Sequence, residues 1–253
     1  MCILALFFQE VADSPLIVAA NRDEFFTRPS APPQRLLEKP LVFGGKDLEA
    51  GGTWLGINEH GLLAGILNRR SKTDERGLRS RGLLCLDILR ARDPEEAKNF
   101  LKRERASDYR PYNLLFASKE AAHVAYNSGD KNVCIELEKG LHVLTNSSVY
   151  DPRSEKLEHA YKLFSRAVKQ QKETSGHARF SFIRHFKEIL SDHTLHKEPK
   201  DPRDAICVHT ETYGTVSSSI IVHAGKERRL YFYHAAQAPC RSEYGAPLAL
   251  ELR

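Results

Sequence analysis

Cysteine occupies position 2 of the chain, directly after Met1 and ahead of an apolar run at residues 3–8. If Met1 is removed, Cys2 carries a thiol and a free α-amine, which together form a nucleophile and its base. Both groups titrate within about two units of neutrality, so modest tuning is enough to activate them. Free cysteine is also among the most buried residue types. A core role at the start of a strand therefore stays open beside the catalytic one.

Two charged residues could tune such a nucleophile. Arg22 and Asp23 end a second apolar run, at residues 16–20, which we expect to pair with the strand that begins at Cys2. Arg22 could stabilise a thiolate, and Asp23 could orient the α-amine. The alternative is an ordinary cluster of surface salt bridges at the end of a strand.

Two asparagines also close predicted strands. Asn68 follows the run at residues 62–67, and Asn146 follows the run at residues 141–145. Amide side chains fixed at the ends of buried strands can donate to a developing oxyanion. Asparagine is equally common as a turn residue, so each position has a structural alternative.

A basic run follows Asn68 and comprises Arg69, Arg70, Lys72, Arg76, Arg79 and Arg81. Next to a pocket it could attract a phosphate or carboxylate, although such runs are also typical of solvated loops. The single tryptophan, Trp54, could line the same pocket or anchor the core. The only close pair of histidines, His193 and His196, lacks a nearby set of carboxylate or cysteine ligands, so we predict no metal site.

Composition describes a mildly basic globular protein. The chain has 253 residues, a net charge of +5 and a pI near 8.9, which does not call for a nucleic-acid partner. Five cysteines are scattered without a CxxC pair, so we expect a reducing, cytoplasmic location. The N-terminal apolar run has no preceding Lys or Arg, and no stretch reaches the length of a membrane span, so neither a secretory signal nor a transmembrane segment is predicted.

Hydrophobic patterning predicts strands, then helices, then strands within one domain, residues 1–253. We predict helices over 81–91, 94–105 and about 153–171, with a further apolar helical face near 180–190. Asp93 and Asp151, each followed by proline, are predicted helix caps. Residues 25–50, 69–80 and 192–204 are expected to be loops. Strands are predicted near 3–8, 16–20, 53–57, 62–67, 113–118, 122–127, 133–137, 141–145, 205–209, 216–223 and 229–234.

Several short motifs together resemble the NRDE family, also called the transport-and-Golgi-organisation-2 family. They are Met1-Cys2, the segment from Ala20 to Phe25 with Arg28-Pro29, Gly51-Gly52-Thr53-Trp54-Leu55-Gly56, Leu144-Thr145-Asn146-Ser147 and Tyr213-Gly214-Thr215. The match covers nearly the whole chain. That family is in turn similar to the N-terminal-nucleophile hydrolases, in particular the cysteine members that cleave bile-salt and penicillin V amides.

The resemblance implies an α+β fold, a four-layer α-β-β-α sandwich with two antiparallel sheets. It implies Cys2 as nucleophile, with Arg22 and Asp23 beside it and Asn68 and Asn146 as oxyanion or positioning donors. The ligand-binding residues we expect are Asn21, Glu24, Trp54, Arg69 and Arg70. The function so implied is hydrolysis of a linear amide C–N bond in an unidentified small molecule, without a cofactor.

A second function is also implied by the family resemblance. A non-catalytic member of this fold would bind or transport haem, acyl-CoA or another lipid in an apolar pocket between the sheets. One departure bears on the choice, because Val216 stands where the family often has an arginine after Tyr-Gly-Thr. Either Arg203 or another cation replaces that arginine, or catalysis is less well supported than the fold. The sequence leaves the oligomeric state open.

Overall fold

Four layers build the molecule, in the order helices, sheet, sheet, helices. A computed structural model describes residues 2–69, 79–128, 130–147, 149, 151–173, 182–195 and 200–253. Both sheets are antiparallel in every neighbouring pair of strands. The predicted α-β-β-α sandwich is therefore the observed architecture.

The first sheet begins directly after Cys2 and has six strands in the spatial order β10-β1-β2-β11-β12-β13. The strands are β1 (Ile3–Val11), β2 (Ser14–Phe25), β10 (Gly140–Leu144), β11 (Tyr213–Ala224), β12 (Arg229–Ala235) and β13 (Leu248–Glu251). The hairpin of β1 and β2 lies between β10 and β11, so its buried strands are apolar on both faces. That burial explains why the N-terminal run is continuously hydrophobic.

The second sheet has seven strands, which follow one another in space in the same order as in the sequence, from β3 to β9. They are β3 (Ser30–Glu38), β4 (Leu41–Asp47), β5 (Leu55–Asn58), β6 (Leu63–Asn68), β7 (Tyr112–Ala117), β8 (Ala122–Ser128) and β9 (Lys131–Glu136). Each connection joins neighbouring strands, so local turn chemistry sets much of this sheet.

Two helices cover each sheet. Helices α1 (Arg81–Ile88) and α2 (Pro94–Arg103) pack on the second sheet, while α3 (Glu155–Glu173) and α4 (Phe182–Leu190) pack on the first. As predicted, Asp93 caps α2, and its carboxylate accepts a hydrogen bond from the Glu96 N–H at 2.8 Å. None of the helices within the described ranges is long and apolar enough to cross a membrane.

Strand alternation divides the core into layers. On β1, Leu4, Leu6 and Phe8 point between the two sheets, whereas the odd-numbered residues from Ile3 to Phe7 point towards α3 and α4. Phe7, for example, stacks on Phe186 of α4 with ring centroids 4.8 Å apart. Cys2 therefore belongs to the face that looks between the sheets, and it packs against that central core.

The structure differs from the sequence predictions in four places. Residues 25–50 are not simply loops, because β3 and β4 form there, and β13 was not predicted. Residues 205–209 do not form a strand of either sheet, since only His209 makes an isolated bridge, to Gly214. The cap of α3 is Ser154 rather than Asp151, because the Ser154 hydroxyl accepts from the Leu157 N–H.

The turn between β5 and β6 depends on a fully buried asparagine. Asn58 donates through Nδ2 to the carbonyls of Leu89 and Ala91, at 3.0 and 2.7 Å. Its Oδ1 accepts from the N–H groups of His60 and Leu62, both at 3.0 Å. One side chain thus closes the turn and ties the hairpin to the end of α1.

We expect Asn58→Ala to lower the free energy of unfolding by about 3 kcal/mol, because it leaves buried backbone donors and acceptors without partners. Asn99→Ala, on the exposed face of α2, is the matched control and should change stability by less than about 0.5 kcal/mol. Urea unfolding measures both. Equal effects for the two variants would contradict the role assigned to Asn58.

Candidate active site

Strand pairing brings the N-terminal cysteine to the end of β2. Ile3 pairs with Asn21 in the β1–β2 register, so Cys2 comes to lie opposite Arg22. Side chains alternate along β2, and even-numbered residues such as Val18 and Ala20 face between the sheets. Arg22 follows them and faces the same side as Cys2, whereas Asn21 and Asp23 face the helices.

The sulfur of Cys2 contacts the backbone of Asp23. The Asp23 N–H donates to Sγ at 3.3 Å, and the thiol reaches the Asp23 carbonyl at 3.6 Å. Burial, followed by the charge of Asp23, raises the pKa of the Cys2 thiol above its usual range. A thiol in this environment is protonated at neutral pH, so a base must take its proton when it attacks.

The carboxylate of Asp23 is buried on the other side of β2. Its Oδ1 accepts from the Thr215 hydroxyl at 2.6 Å, and its Oδ2 lies 3.6 Å from Nζ of Lys156, on α3. Both charged side chains are almost completely buried, with 3% of Lys156 and none of Asp23 exposed. Asp23 thus joins β2, β11 and α3 through its side chain while its backbone holds Cys2.

Val216 lies at the irregularity in β11 where the register with β2 shifts, between Thr215 and Ser217. Of the two replacements considered for the family arginine, Arg203 is exposed and pairs with Asp201 at 2.8 Å. The cation in contact with Asp23 is instead Lys156. It comes from a helix 60 residues earlier in the chain than Val216, which is why the motif alone did not reveal it.

Arg22 and Trp54 stack beside Cys2. The Arg22 guanidinium lies 4.3 Å from the centroid of the indole ring, within the range of a cation–π contact. Glu24 lies 4.0 Å from Arg22 and 3.8 Å from Arg28. Trp54 in turn covers Gly45, where a Cβ atom would come within 2.3 Å of the indole. Close packing on a glycine thus fixes the ring that supports Arg22.

The two candidate oxyanion donors are joined to each other. Asn146 donates through Nδ2 to the backbone carbonyl of Asn68. The register of β1 with β10 pairs Leu4 with Leu144, and its continuation sets Asn146 opposite Cys2. Asn113 holds this segment by donating to the carbonyls of Thr145 and Ser147, at 2.9 and 2.7 Å. Asn68 lines the cavity described next, and Asn146 supports it from behind.

A cavity of about 270 Å³ opens beside Cys2. Its wall opposite β2 is the start of α1, where Gly52 packs so closely that a Cβ atom would lie 2.2 Å from the backbone of Gly82. The lining is strongly charged. Its charged side chains are five arginines and three acidic residues, Arg22, Arg28, Arg79, Arg81, Arg110, Glu24, Asp47 and Glu49, and Asp23 also borders it although its carboxylate lies on the other side of β2.

Ion pairing differs among these charges. Arg28 donates twice to one oxygen of Asp47, at 3.0 and 2.8 Å. Although burial acts to raise it, the pKa of Asp47 is held below its ordinary value by Arg28 and by the N–H of Ala50. Burial instead lowers the pKa of Arg22, and it lowers the pKa of Arg81 to about 10 with help from Arg110. Arg22 and Arg81 are therefore desolvated cations that an anion would stabilise.

Some of the remaining predicted ligand-binding residues line the cavity and others do not. Glu24 and Trp54 line the cavity. Asn21 does not point into it, because its amide nitrogen donates to the carbonyls of Leu190 and Ile206, at 2.8 and 3.0 Å. Arg69 is directed away, towards the Asn127 carbonyl and the ring of Tyr126. Arg70 lies outside the described residues.

Sequence reasoning missed several contributors. Lys156 and Thr215 support Asp23, while Arg28 and Arg110 line the cavity beside Arg79 and Arg81 of the predicted basic run. Thr215 and Arg28 belong to motifs that resemble the family, Tyr213-Gly214-Thr215 and Arg28-Pro29, but no role was predicted for either residue. Lys156 and Arg110 have no such local signal, because they reach the site only through the folding of distant elements.

Two antiparallel sheets between pairs of helices form the α-β-β-α fold of the N-terminal-nucleophile hydrolases. The structure is similar to a mutant of the conjugated bile acid hydrolase from Clostridium perfringens, with a TM-score of 0.56 and 12% identity over 99% of this chain and 92% of that one. It is also similar to penicillin V acylase from Agrobacterium tumefaciens, with a TM-score of 0.51 and 12% identity over 100% and 99% of the chains. At such identities the likeness establishes the fold.

Within that fold class the family is narrower. Residues 1–236 match the family model for transport and Golgi organisation 2, so the chain belongs to this family. The mouse transport and Golgi organization 2 homolog is 29% identical over 227 residues, which cover 82% of this chain and 81% of the mouse protein.

We expect Lys156→Met to lower the free energy of unfolding by about 3–5 kcal/mol, because it removes one charge of a buried pair. The double variant Asp23→Asn/Lys156→Met should recover part of that loss by removing the other charge. Lys162→Met is the control on the same helix, since Lys162 pairs with Glu158 in solvent, and it should cost less than about 1 kcal/mol. Urea unfolding that gave equal losses for both lysines would contradict the assigned role.

Proposed function

We propose that the protein is a cysteine amidohydrolase that cleaves a linear amide C–N bond, with Cys2 as the nucleophile. The observation that carries the proposal is the position of the Cys2 sulfur, which lies at a charged cavity and accepts a hydrogen bond from the Asp23 N–H. The related folds named above belong to a bile acid hydrolase and a penicillin V acylase. Their activities support the proposed reaction class by analogy.

The raised thiol pKa determines how such a mechanism would start. Once Met1 is removed, the α-amine of Cys2 takes the thiol proton as sulfur attacks the amide carbonyl. Asn68, which lines the cavity, is the proposed donor to the tetrahedral oxyanion, and Asn146 holds its backbone through the carbonyl. The α-ammonium then protonates the leaving amine. Water hydrolyses the thioester, which releases the acid and restores the thiol.

We further propose that the substrate is small and carries an anionic group. The cavity, at about 270 Å³, lies just below the range of about 300–1,000 Å³ that is usual for small-molecule pockets. Arg22 and Arg81 are desolvated cations on its wall, and a carboxylate or another oxyanion would offset the cost of their burial. The five free cysteines support the proposal of a reducing, cytoplasmic location.

The alternative function, binding or transport of haem or acyl-CoA without turnover, draws on the same arginines for recognition of an anion. It also requires apolar space, and the apolar cavity beneath Cys2, beside residues such as Leu4 and Leu67, measures about 20 Å³, too small for either ligand. The geometry therefore favours the hydrolase.

The first experiment measures the mature N-terminus by intact mass and then screens a panel of small anionic amides. We expect loss of Met1, and we expect Cys2→Ala to lower kcat/KM by at least about 10³-fold. Asn68→Ala should cost about 10²- to 10³-fold, as expected for the loss of one oxyanion donor. Cys134→Ala, at a half-buried cysteine outside the cavity, is the control and should retain full activity.

Turnover that survives Cys2→Ala would contradict the mechanism. Titration with haem and acyl-CoA, followed through the fluorescence of Trp54, separates the alternative function. Equal binding to wild type and Cys2→Ala, together with no turnover of any amide, would favour transport over hydrolysis.

A second experiment follows alkylation of Cys2 against pH, in protein released from a cleavable fusion that leaves either Met1 or Cys2 first. With Met1 retained, the raised pKa should make the rate climb about tenfold per pH unit from pH 7 to 9, because the thiolate fraction grows in that proportion below the pKa. With Cys2 first, the neighbouring α-amine should move the profile to lower pH. Identical profiles would show that the amine does not activate the thiol.

A further inference from the structure

Four potential metal ligands meet at the end of the first sheet, outside the cavity of Cys2. They are His193, Cys207, His209 and Cys240, and the four ligand atoms all lie within 4.8 Å of one another. Cys207 is buried, while His193 and Cys240 are exposed, so an ion could enter from solvent. The pair His193 and His196 alone predicts no metal site, because the other three potential ligands stand further along the chain. His196 lies outside the described residues.

The separations within this cluster suit a tetrahedral ion. Zinc with Zn–S bonds of about 2.3 Å and Zn–N bonds of about 2.0–2.1 Å places two sulfurs about 3.8 Å apart, and a sulfur and a nitrogen about 3.5 Å apart. The sulfurs of Cys207 and Cys240 are 3.7 Å apart. Nε2 of His209 lies 3.6 Å from the sulfur of Cys207 and 3.2 Å from that of Cys240. These distances require only small adjustments to close around one ion.

Hydrogen bonds already orient the ligands. Nδ1 of His193 lies 3.0 Å from the Cys207 carbonyl, and in the Nδ1–H tautomer it donates to that oxygen. Bonds of this kind commonly hold zinc-bound imidazoles and leave the other ring nitrogen with a lone pair for the metal. The Cys207 N–H in turn donates to the Asp192 carbonyl at 2.8 Å, which ties the two segments together.

We propose that His193, Cys207, His209 and Cys240 bind a structural Zn²⁺ ion. Two thiolates and two imidazoles form a common closed zinc site, and soft thiolates select zinc over Mg²⁺ or Ca²⁺. Binding converts two thiols to thiolates and releases two protons to solvent, with no change in oxidation state. The proposal is independent of the chemistry assigned to Cys2.

A metal here would stiffen the support of Asp23. Val208 lies between two of the ligands, its N–H donates to the Thr215 hydroxyl at 2.9 Å, and its carbonyl accepts from the Thr215 N–H at 2.8 Å. The same Thr215 hydroxyl donates to Asp23. The ion would therefore fix the segment that holds Thr215 against Asp23, and the Asp23 backbone in turn contacts Cys2.

The test measures zinc by mass spectrometry in the full chain, stripped with a chelator, incubated with zinc sulfate and desalted. Wild type should retain one zinc per chain, and Co²⁺ in its place should give the visible absorption of tetrahedral thiolate cobalt. Cys240→Ser, an exposed position where folding should survive, should weaken zinc binding more than roughly tenfold, since even the loss of an outer-shell partner costs about 10- to 100-fold. Cys134→Ser is the cysteine control and should bind as wild type does.

The melting temperature provides a second measurement. Zinc should raise it in wild type and in Cys134→Ser, and circular dichroism will show whether Cys240→Ser is folded. The proposal is overturned if reconstituted wild type holds no zinc, or if Cys240→Ser holds as much as wild type. A Cys207–Cys240 disulfide, found by non-reducing peptide mapping of freshly purified protein, would also overturn it.

Discussion

The buried carboxylate of Asp23 is the interaction on which the rest of the site depends. Its two oxygens reach Thr215 on β11 and Lys156 on α3, while its backbone N–H and carbonyl contact the sulfur of Cys2. A charge removed from water must be compensated by close partners, so Asp23 fixes the relative positions of two strands and a helix. The same constraint fixes the sulfur. Stability and the geometry of the candidate nucleophile are consequently linked at one residue.

Local patterns predicted the parts of the fold that local chemistry determines. The continuous apolar run after Cys2 indicated a strand buried on both faces, and Asp93-Pro94 marked the start of α2. Strand β3 was not predicted because it contains Pro32-Pro33 and is largely exposed, so neither hydrophobicity nor strict alternation identifies it. Residues 205–208 are apolar for a different reason: they are buried, with Ile206 in the core beside α4, but they join no sheet ladder, and composition cannot distinguish such a segment from a strand.

The candidate site was predictable only where short motifs carry it. Cys2, Arg22, Asp23 and Asn68 come from conspicuous positions at strand ends, and the structure brings them to one cavity. Asn21 stands in the same motif, but strand alternation turns it towards the helices, where it bonds two carbonyls. Side chains alternate along β2, so those of Arg22 and Glu24 face the cavity, whereas those of Asn21 and Asp23 face the helices. The basic run was harder to interpret, since Arg81 lines the cavity while Arg69 turns to Asn127.

The charged lining of the cavity bears on the class of ligand that the proposed function calls for. Beneath Cys2, Leu4, Leu55 and Leu67 pack around a space of about 20 Å³ between the sheets, so a larger apolar ligand would require this part of the core to open. The cavity of about 270 Å³ lies between the end of β2 and the start of α1, and arginine and carboxylate side chains line it. The close contact of Gly52 with the backbone of Gly82 holds the start of α1 at the cavity. Because desolvated guanidinium groups gain most from a localised negative charge, the proposed function implies selectivity for the charge of the ligand before its hydrophobic area.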